Sequence, residues 1–276
     1  MSKSGSLACL ANAGYNLRVA DFDGHFADMA PFFTPEARAR VEIVSLEDKL
    51  RDDARHIGPS GTPTAFARFL KLWNNWEYET PEGKVSLGPV RSWTRRDILV
   101  VDSMTAMGRA NMRRTLALNN RTIDNRREAD WGAAQHDEQE VMQILTGDDI
   151  PCHVVVTAHL KLIAPKDVEK TDDDLTKNIK EQVAEIVKAR LFPSALGRAN
   201  PPDIAQHFST VLHFDAEFVN GKEKRIIRTV PSPEVPCVKV PVGGLPRTLP
   251  IDTGMLTIFD ALVGPLPKEA APAVAA

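Results

Sequence analysis

The sequence predicts an α/β protein with a mainly parallel sheet and an antiparallel extension near the C-terminus. Two continuous apolar runs, DILVVDS (97–103) and CHVVVTAH (152–159), alternate with helical patterns. Parallel strands covered by helices on both faces have this composition. After about residue 209, strand-like runs follow one another without helices between them, which favours antiparallel pairing.

The first hundred residues contain one strong helical pattern and several short strands. Apolar residues recur at helical spacing over 63–79, and Thr62 and Pro63 open that helix. The other predicted elements are a short helix over 4–13 with Gly14 at its C-terminal cap, strands at NLRVADFD (16–23), VEIVSL (41–46) and DILVVDS, and a small hairpin joining VSLGPV to SWT.

The sequence from residue 104 onward predicts helices first and strands later. Helices are expected over roughly 104–125 and 132–146, followed by the strand CHVVVTAH and a polar loop over 165–180. The late strands are STVLHFDAEFV, KRIIRTV and CVKV, with NGK as a hairpin turn, a closing helix over 255–263 and a disordered tail over 264–276. One domain is therefore expected over 1–263.

Composition excludes several classes of protein. Lys plus Arg number 34 against 37 for Asp plus Glu, so a generally basic nucleic-acid coat protein is excluded but a local basic patch is not. No apolar run is long enough to span a membrane, and residues 1–14 lack the pattern of a signal peptide. Three distant cysteines and seven scattered histidines predict a cytoplasmic protein without disulfides or a zinc site.

Chemically capable residues fall at the ends of successive predicted strands, or just before the first helix. They are Lys3 and Ser4, Asp21 and Asp23, Asp102, and His159. Ligands of open α/β sheets bind at the edge where the strands end. The sequence therefore predicts a binding site at this edge.

Each of these residues has a candidate chemical role and a plainer alternative. Lys3-Ser4 matches the end of a phosphate-binding P-loop, with the lysine on phosphate and the serine on Mg²⁺, but also matches a charged residue beside a helix-capping serine. Asp102 matches a Walker B aspartate that holds Mg²⁺, or else caps the next helix.

Two further side chains are candidates for contact with a reacting phosphate. Asp23 can position an attacking water, with Asp21 as its structural neighbour and Glu138 as a weaker rival for the base. His159 can touch the terminal phosphate, or be an ordinary hydrogen-bonded histidine at a strand end.

A basic stretch follows Asp102. Residues 104–127 hold six arginines against one acid, Asp124, and such a segment can follow a phosphate backbone or simply be a solvated helix face. The arginines are Arg109, Arg113, Arg114, Arg121, Arg126 and Arg127. Trp131 can stack on a base or belong to the core.

Taken together, these motifs resemble the RecA-like P-loop ATPases, and more closely the phage nucleotide-binding proteins that act in single-strand annealing and recombination. The resemblance runs to about residue 263 and rests on KSGS, VADFDGHFADMAPFF, DILVVDSMTAM, ADWGAAQ, HVVVTAHLK, LFPSALGRANPPDIAQHFSTVLHF and LPIDTGMLTIFDAL. It implies a RecA-like core, ATP and Mg²⁺ as cofactors, and single-stranded DNA as partner.

The resemblance also assigns roles to residues. It implies phosphate and Mg²⁺ binding by Lys3 and Ser4, Mg²⁺ binding by Asp102, a catalytic carboxylate at Asp23 and phosphate sensing at His159. DNA-binding loops would lie at roughly 104–131 and 160–200, and a filament or ring of copies is expected. The setting would be the cytoplasm of a bacterium that hosts the phage or prophage.

One departure from the family pattern is large. Only Met1 and Ser2 precede Lys3, so the first strand and most of the P-loop, including its glycines, are missing. The expectation is a start assigned too far downstream, with weak ATP binding by the chain as written. The alternatives are a non-catalytic DNA-binding or scaffolding module with a decayed nucleotide site, and an ATPase of the helicase-loader type.

Overall fold

The computed structural model describes residues 3–53, 56–81, 83–163, 189–197 and 200–266. Its strands are β1 (Asn16–Asp21), β2 (Val41–Ser45), β3 (Leu50–Asp53), β4 (His56–Pro59), β5 (Glu77–Thr80), β6 (Gly83–Ser86), β7 (Asp97–Asp102), β8 (His153–Val156), β9 (Leu160–Ile163), β10 (Arg190–Pro193), β11 (His213–Val219), β12 (Lys222–Arg228) and β13 (Thr248–Pro250). Its helices are α1 (Ala8–Asn12), α2 (Pro35–Arg38), α3 (Ala65–Asn74), α4 (Met104–Leu118), α5 (Glu128–Thr146), α6 (Asn200–Ile204) and α7 (Gly254–Val263). A 3₁₀ turn over Ser4–Leu7 leads into α1.

The centre of the fold is a parallel four-stranded sheet in the order β2-β1-β7-β8. Asp21 of β1 is opposite Asp102 of β7, and Ile98 of β7 is opposite His153 of β8. The strand pairs β3–β4, β5–β6 and β9–β10 are antiparallel. The predicted α/β class, with a parallel sheet and antiparallel additions, is confirmed.

Two hydrophobic cores cover the two faces of the sheet. Leu99 and Val101 of β7 contribute to the core on the side of α3, α4 and α5. Ile98 and Val100 contribute to the opposite core, which α1, α7 and strands β12 and β13 complete. All six residues of β7 are buried, which explains why the four residues between its two terminal aspartates are apolar without alternation.

The predicted antiparallel extension is present as the sheet β11-β12-β13. The turn between β11 and β12 is formed by Asn220 and Gly221, with φ of 52° and 73°, as the Asn-Gly signal predicts. The predicted strand CVKV is wrong: Lys239 makes only an isolated bridge to Val211, and Thr248–Pro250 takes the third position. Prolines at 236 and 241 enclose CVKV and limit its pairing.

Several predicted element boundaries in the first half are wrong. The helix predicted to reach residue 79 ends at Asn74, and Asn75 is already extended. Trp76, fully buried against Trp93, continues the β5–β6 ladder through backbone bonds to Gly88 and Leu87. Burial of this indole outweighs the helical periodicity, so the hairpin partner of 83–86 is Glu77–Thr80 and not SWT.

The helices after β7 also differ in length from the prediction. The first ends at Leu118, where Asn120 adopts a left-handed φ of 50°, and the second begins earlier than predicted, at Glu128. The closing helix is confirmed as α7. The loop predicted over 165–180 and nearly all of the predicted tail lie outside the described residues. None of the helices in the described part of the chain has the length and apolar character of a membrane span.

Candidate functional site

The strands β1, β7 and β8 end side by side, and Asp102 lies at the centre of this edge. Its carboxylate is buried and accepts hydrogen bonds from two hydroxyls. Ser4 Oγ donates to Oδ2 at 2.7 Å, and Thr157 Oγ1 donates to Oδ1. The Asp102 carbonyl also accepts the N–H groups of Phe22 and Asp23, at 2.6 and 3.3 Å. Asp102 therefore ties the first turn of the chain to the ends of three strands.

Lys3 and Ser4 lie at the start of the first helical turn, directly beside this carboxylate. The contact between Ser4 and Asp102 spans 98 residues of sequence, so the fold brings together two residues that the sequence places in one site. Burial lowers the pKa of the Lys3 ammonium from its ordinary value, while the charges of Asp102 and Asp23 oppose this shift. The ammonium is thus held near two carboxylates.

Asp23 follows β1 and is flanked by two basic side chains. Arg109 Nη2 of α4 lies 3.4 Å from Asp23 Oδ1, and His159 Nε2 lies 3.8 Å from Oδ2. The His159 side chain is 57% exposed, so it can reach a ligand above the edge. The structure therefore brings all five predicted site residues, namely Lys3, Ser4, Asp23, Asp102 and His159, to one edge of the sheet.

The backbone of His159 is fixed by a second set of contacts. Its N–H donates to Thr105 Oγ1 at 3.1 Å, and its carbonyl accepts the Ser194 N–H at 2.7 Å. Thr105 in turn donates to the Ser194 carbonyl at 3.1 Å. Thr105 and Ser194 thus hold the chain after β8 at the site.

Asp21 and Glu138, the two other acids considered from the sequence, accept hydrogen bonds that stabilise the fold. Asp21 accepts the N–H groups of Gly24 and Phe26 at 2.8 and 3.0 Å, and burial raises the pKa of its carboxyl. It organises the turn that presents Asp23, as predicted for the structural neighbour. Glu138 is buried on α5 and accepts from Leu196 N–H and Asn200 Nδ2, at 2.9 and 3.2 Å. Burial raises its pKa as well.

The six arginines of the basic stretch do not share one environment. Arg109 belongs to the site edge, whereas Arg113 and Arg114 are half-buried, 3.9 Å from Asp48 and 3.3 Å from Asp137 respectively. Arg126 and Arg127 are exposed, and the Arg126 guanidinium lies 5.8 Å from the ring centre of Trp131. Fewer of the six arginines therefore face solvent than the sequence pattern indicates.

Arg121 makes strong contacts within the chain. Its Nη1 lies 2.7 Å from both oxygens of Asp130, which is fully buried and also accepts from Asn119 and from the Arg127 N–H. The hydrogen bond from Arg121 is the largest cause that lowers the pKa of Asp130 to about 2. This pair joins the end of α4 to the start of α5.

The side chains at the edge fit a Mg²⁺–phosphate ligand. A serine hydroxyl and a carboxylate 2.7 Å apart are hard oxygen donors, and Mg²⁺ commonly binds one or two such groups together with phosphates and water. Lys3 adds a positive charge beside them. Among the described residues there is no cluster of three or more His, Cys, Asp or Glu arranged to hold a metal alone.

Three residues of the site were not assigned roles from sequence. The hydroxyl of Thr157, at the end of the predicted strand CHVVVTAH, contacts Asp102, and Thr105 and Ser194 fix His159. The position of Thr157 at the end of the third strand was the available signal. Comparisons of the chain with family models, curated proteins and solved structures gave no significant match.

Proposed function

We propose that this edge binds Mg²⁺–ATP and that the protein is a RecA-like ATPase acting on single-stranded DNA in phage recombination or annealing. The observation that carries the proposal is the 2.7 Å contact of Ser4 with Asp102 beside Lys3. A lysine, a hydroxyl and a strand-end carboxylate are the side chains that P-loop enzymes use for phosphates and their metal.

Each residue has a defined task in this proposal. Lys3 neutralises phosphate oxygens, and Ser4 and Asp102 hold the metal, which when bound supplies further charge stabilisation. Asp23 accepts a hydrogen bond from the attacking water, and its pairing with Arg109 and His159 orients its carboxylate. His159 can donate Nε2–H to the terminal phosphate in place of Asp23.

Calorimetric titration with Mg²⁺–ATP tests the nucleotide site. We expect Mg²⁺-dependent binding by the chain, and affinity at least ~10-fold lower, about 1.4 kcal/mol, in Lys3→Ala and Asp102→Asn. Lys71→Ala, which removes an exposed lysine from α3, is the matched control. Equal binding by Lys3→Ala and the control, or no binding by the chain, would overturn the site.

The DNA part of the proposal rests on the exposed arginines. Arg126 and Arg127 lie in the connection between α4 and α5. Arg109, on α4, forms an ion pair with Asp23. A strand that ran along α4, whose 15 residues span about 22 Å, would connect this surface to the nucleotide edge. Two phosphate contacts account for a salt-dependence slope of about 1.4 on single-stranded DNA.

Fluorescence anisotropy with a labelled oligo-dT tests that surface. Arg126→Ala/Arg127→Ala should weaken binding and reduce the salt slope by about 1.4. The pair Arg38→Ala/Arg91→Ala removes the same charge elsewhere on the surface and should not change the slope. An unchanged slope in the first pair would refute this DNA surface, and DNA binding without nucleotide binding would favour the non-catalytic module.

A further inference from the structure

The hairpin formed by β11 and β12 extends past the third strand of its sheet. β13 pairs only with Ile226–Arg228 of β12, so the rest of β12 has β11 as its one partner among the described strands. At the base of the hairpin, Phe214 and Ile227 pack into the core that α1 and α7 complete. Residues 218–225 are all exposed, so the outer part of the hairpin is a two-stranded ribbon in contact with solvent on both faces.

The ribbon carries an exposed aromatic side chain. Phe218 is 78% exposed, the largest exposed fraction among the large hydrophobic residues that the structure describes. Val219, next along β11, is 47% exposed. Single apolar side chains are common on protein surfaces, so the charges around this ring decide what it can bind.

The acids of the hairpin are engaged by its own arginines. At the base, Arg228 Nε lies 2.7 Å from Asp215, and Arg228 Nη2 lies 2.8 Å from Glu217. Nearer the turn, Arg225 Nε lies 2.8 Å from Glu223. These contacts place a positive charge beside each carboxylate, and so reduce the repulsion that an approaching anion would meet.

Two lysines of the ribbon remain available to a ligand. Lys222 and Lys224 are exposed, and no acid in the described part of the chain forms an ion pair with either. They alternate along β12, so both lie on one face of the ribbon, about 7 Å apart along the strand. Residues 218–225 together hold three cations and one acid, so this surface attracts anions.

Phe218 and the two lysines lie on opposite faces of the ribbon. Phe218 is opposite Glu223 in the pairing of β11 with β12, whereas Val219 is opposite Lys222. Because successive side chains of a strand alternate between faces, a ligand that contacts both the ring and the lysines must pass around the ribbon. A flexible polyanion with flat bases can do so, since its phosphates contact lysines while a base stacks on an aromatic ring.

We propose that the ribbon is a second contact for single-stranded DNA, in which a base stacks on Phe218 and phosphates contact Lys222 and Lys224. A single strand fits this surface better than a duplex does. Insertion of a ring between paired bases costs unstacking energy, which two lysines offset poorly, whereas unpaired bases are free to stack. The inference rests on the proposed DNA-binding function and adds a surface distant in sequence from Arg126 and Arg127.

Fluorescence anisotropy with two labelled oligonucleotides of equal length, oligo-dT and the same backbone without bases, tests the stacking. Phe218→Ala should weaken binding to oligo-dT at least ~5-fold and leave binding to the abasic strand unchanged. Phe218→Trp keeps an aromatic ring and should retain affinity, whereas Phe218→Leu keeps only apolar surface and should lose as much as the alanine variant. Ile144→Ala, which removes a 47% exposed side chain from α5, is the matched control.

The salt dependence of the same binding tests the lysines. Lys222→Ala/Lys224→Ala should reduce the salt slope by about 1.4 on both oligonucleotides. The pair Arg38→Ala/Arg91→Ala is again the control. Because every substituted side chain is exposed, the urea midpoints of the variants should match that of the wild type, which separates lost contacts from lost folding.

Other results decide against this surface or against DNA binding as a whole. Unchanged binding in the Phe218 and lysine variants, with a reduced slope in Arg126→Ala/Arg127→Ala, would overturn the ribbon contact and leave the proposed DNA function standing. Equal losses on both oligonucleotides in Phe218→Ala, or Phe218-dependent binding of a duplex as tight as that of oligo-dT, would refute stacking on a single strand.

Two further results would also overturn the proposal. Binding to equimolar phosphatidylserine–phosphatidylcholine vesicles that requires Phe218, with DNA binding unchanged in Phe218→Ala, would identify a membrane contact instead. No binding of oligo-dT by the wild type would overturn the ribbon contact together with the DNA part of the proposed function.

Discussion

Replacing Glu138 tests how Leu196 and Asn200 are held against α5. Glu138→Ala removes the acceptor of two hydrogen bonds, from the Leu196 N–H and from Asn200 Nδ2. Each is worth about 1–1.5 kcal/mol, and the lost methylene adds about 0.8 kcal/mol. We expect the free energy of unfolding to fall by about 3–4 kcal/mol, because the side chain is fully buried and solvent cannot replace it.

Glu138→Gln separates the hydrogen bonds from the charge. The amide oxygen can accept both bonds, and burial raises the pKa of the native carboxyl, so the native charge is costly. The stability of the wild type should therefore decline relative to Glu138→Gln as the pH rises from the ordinary glutamate pKa through the raised one. Urea unfolding followed by tryptophan fluorescence measures this, with the exposed Glu140→Gln as control. Glu138→Gln as unstable as Glu138→Ala, or a pH-independent difference from the wild type, would refute the reasoning.

Three further substitutions test the scaffold of the site by urea unfolding. Asp130→Asn should lower the free energy of unfolding at neutral pH. This loss relative to the wild type should disappear as the pH falls through about 2, because the native carboxyl there loses its charge and its pairing with Arg121. A loss that stayed constant with pH would contradict this reasoning. Gly24→Ala should cost about 1–2 kcal/mol, since Gly24 has a φ of 74° and an added Cβ would meet the Glu47 carboxyl; an unchanged midpoint would count against it. Leu99→Ala, at the fully buried centre of β7, should cost about 2–5 kcal/mol, and a loss below 1 kcal/mol would show that the core relaxes around it.

The sequence predicted the parallel strands and the grouping of the site better than it predicted boundaries. The four central residues of β7 are all apolar because packed elements cover both faces of the strand, so this pattern is visible in the sequence. Lys3, Asp23, Asp102 and His159 could be grouped because residues that follow parallel strands meet at one edge. The assignment of that edge to ATP stays a prediction.

The features that were not predictable depend on contacts between distant residues. Trp76 leaves the helical pattern because it fills the core beside Trp93, which no local periodicity reports. The arginines of the basic stretch looked equivalent in sequence. Only the fold shows that Arg121 is paired with buried Asp130, whereas Arg126 and Arg127 face solvent.

The pairing of β1 with β7 also determines when the site can form during folding. Asn16 contacts Asp97 across 81 residues, and Ser4 contacts Asp102 across 98. Closing a loop of ~80 residues costs about 4 kcal/mol of chain entropy beyond a constant, which only the completed sheet repays. Such non-local contacts slow folding, and a nascent chain released only as far as α3 cannot bring Asp102 to Ser4. Assembly of this edge is thus coupled to closure of the whole sheet, so a ligand that binds the assembled edge would act as a stabiliser of the complete fold.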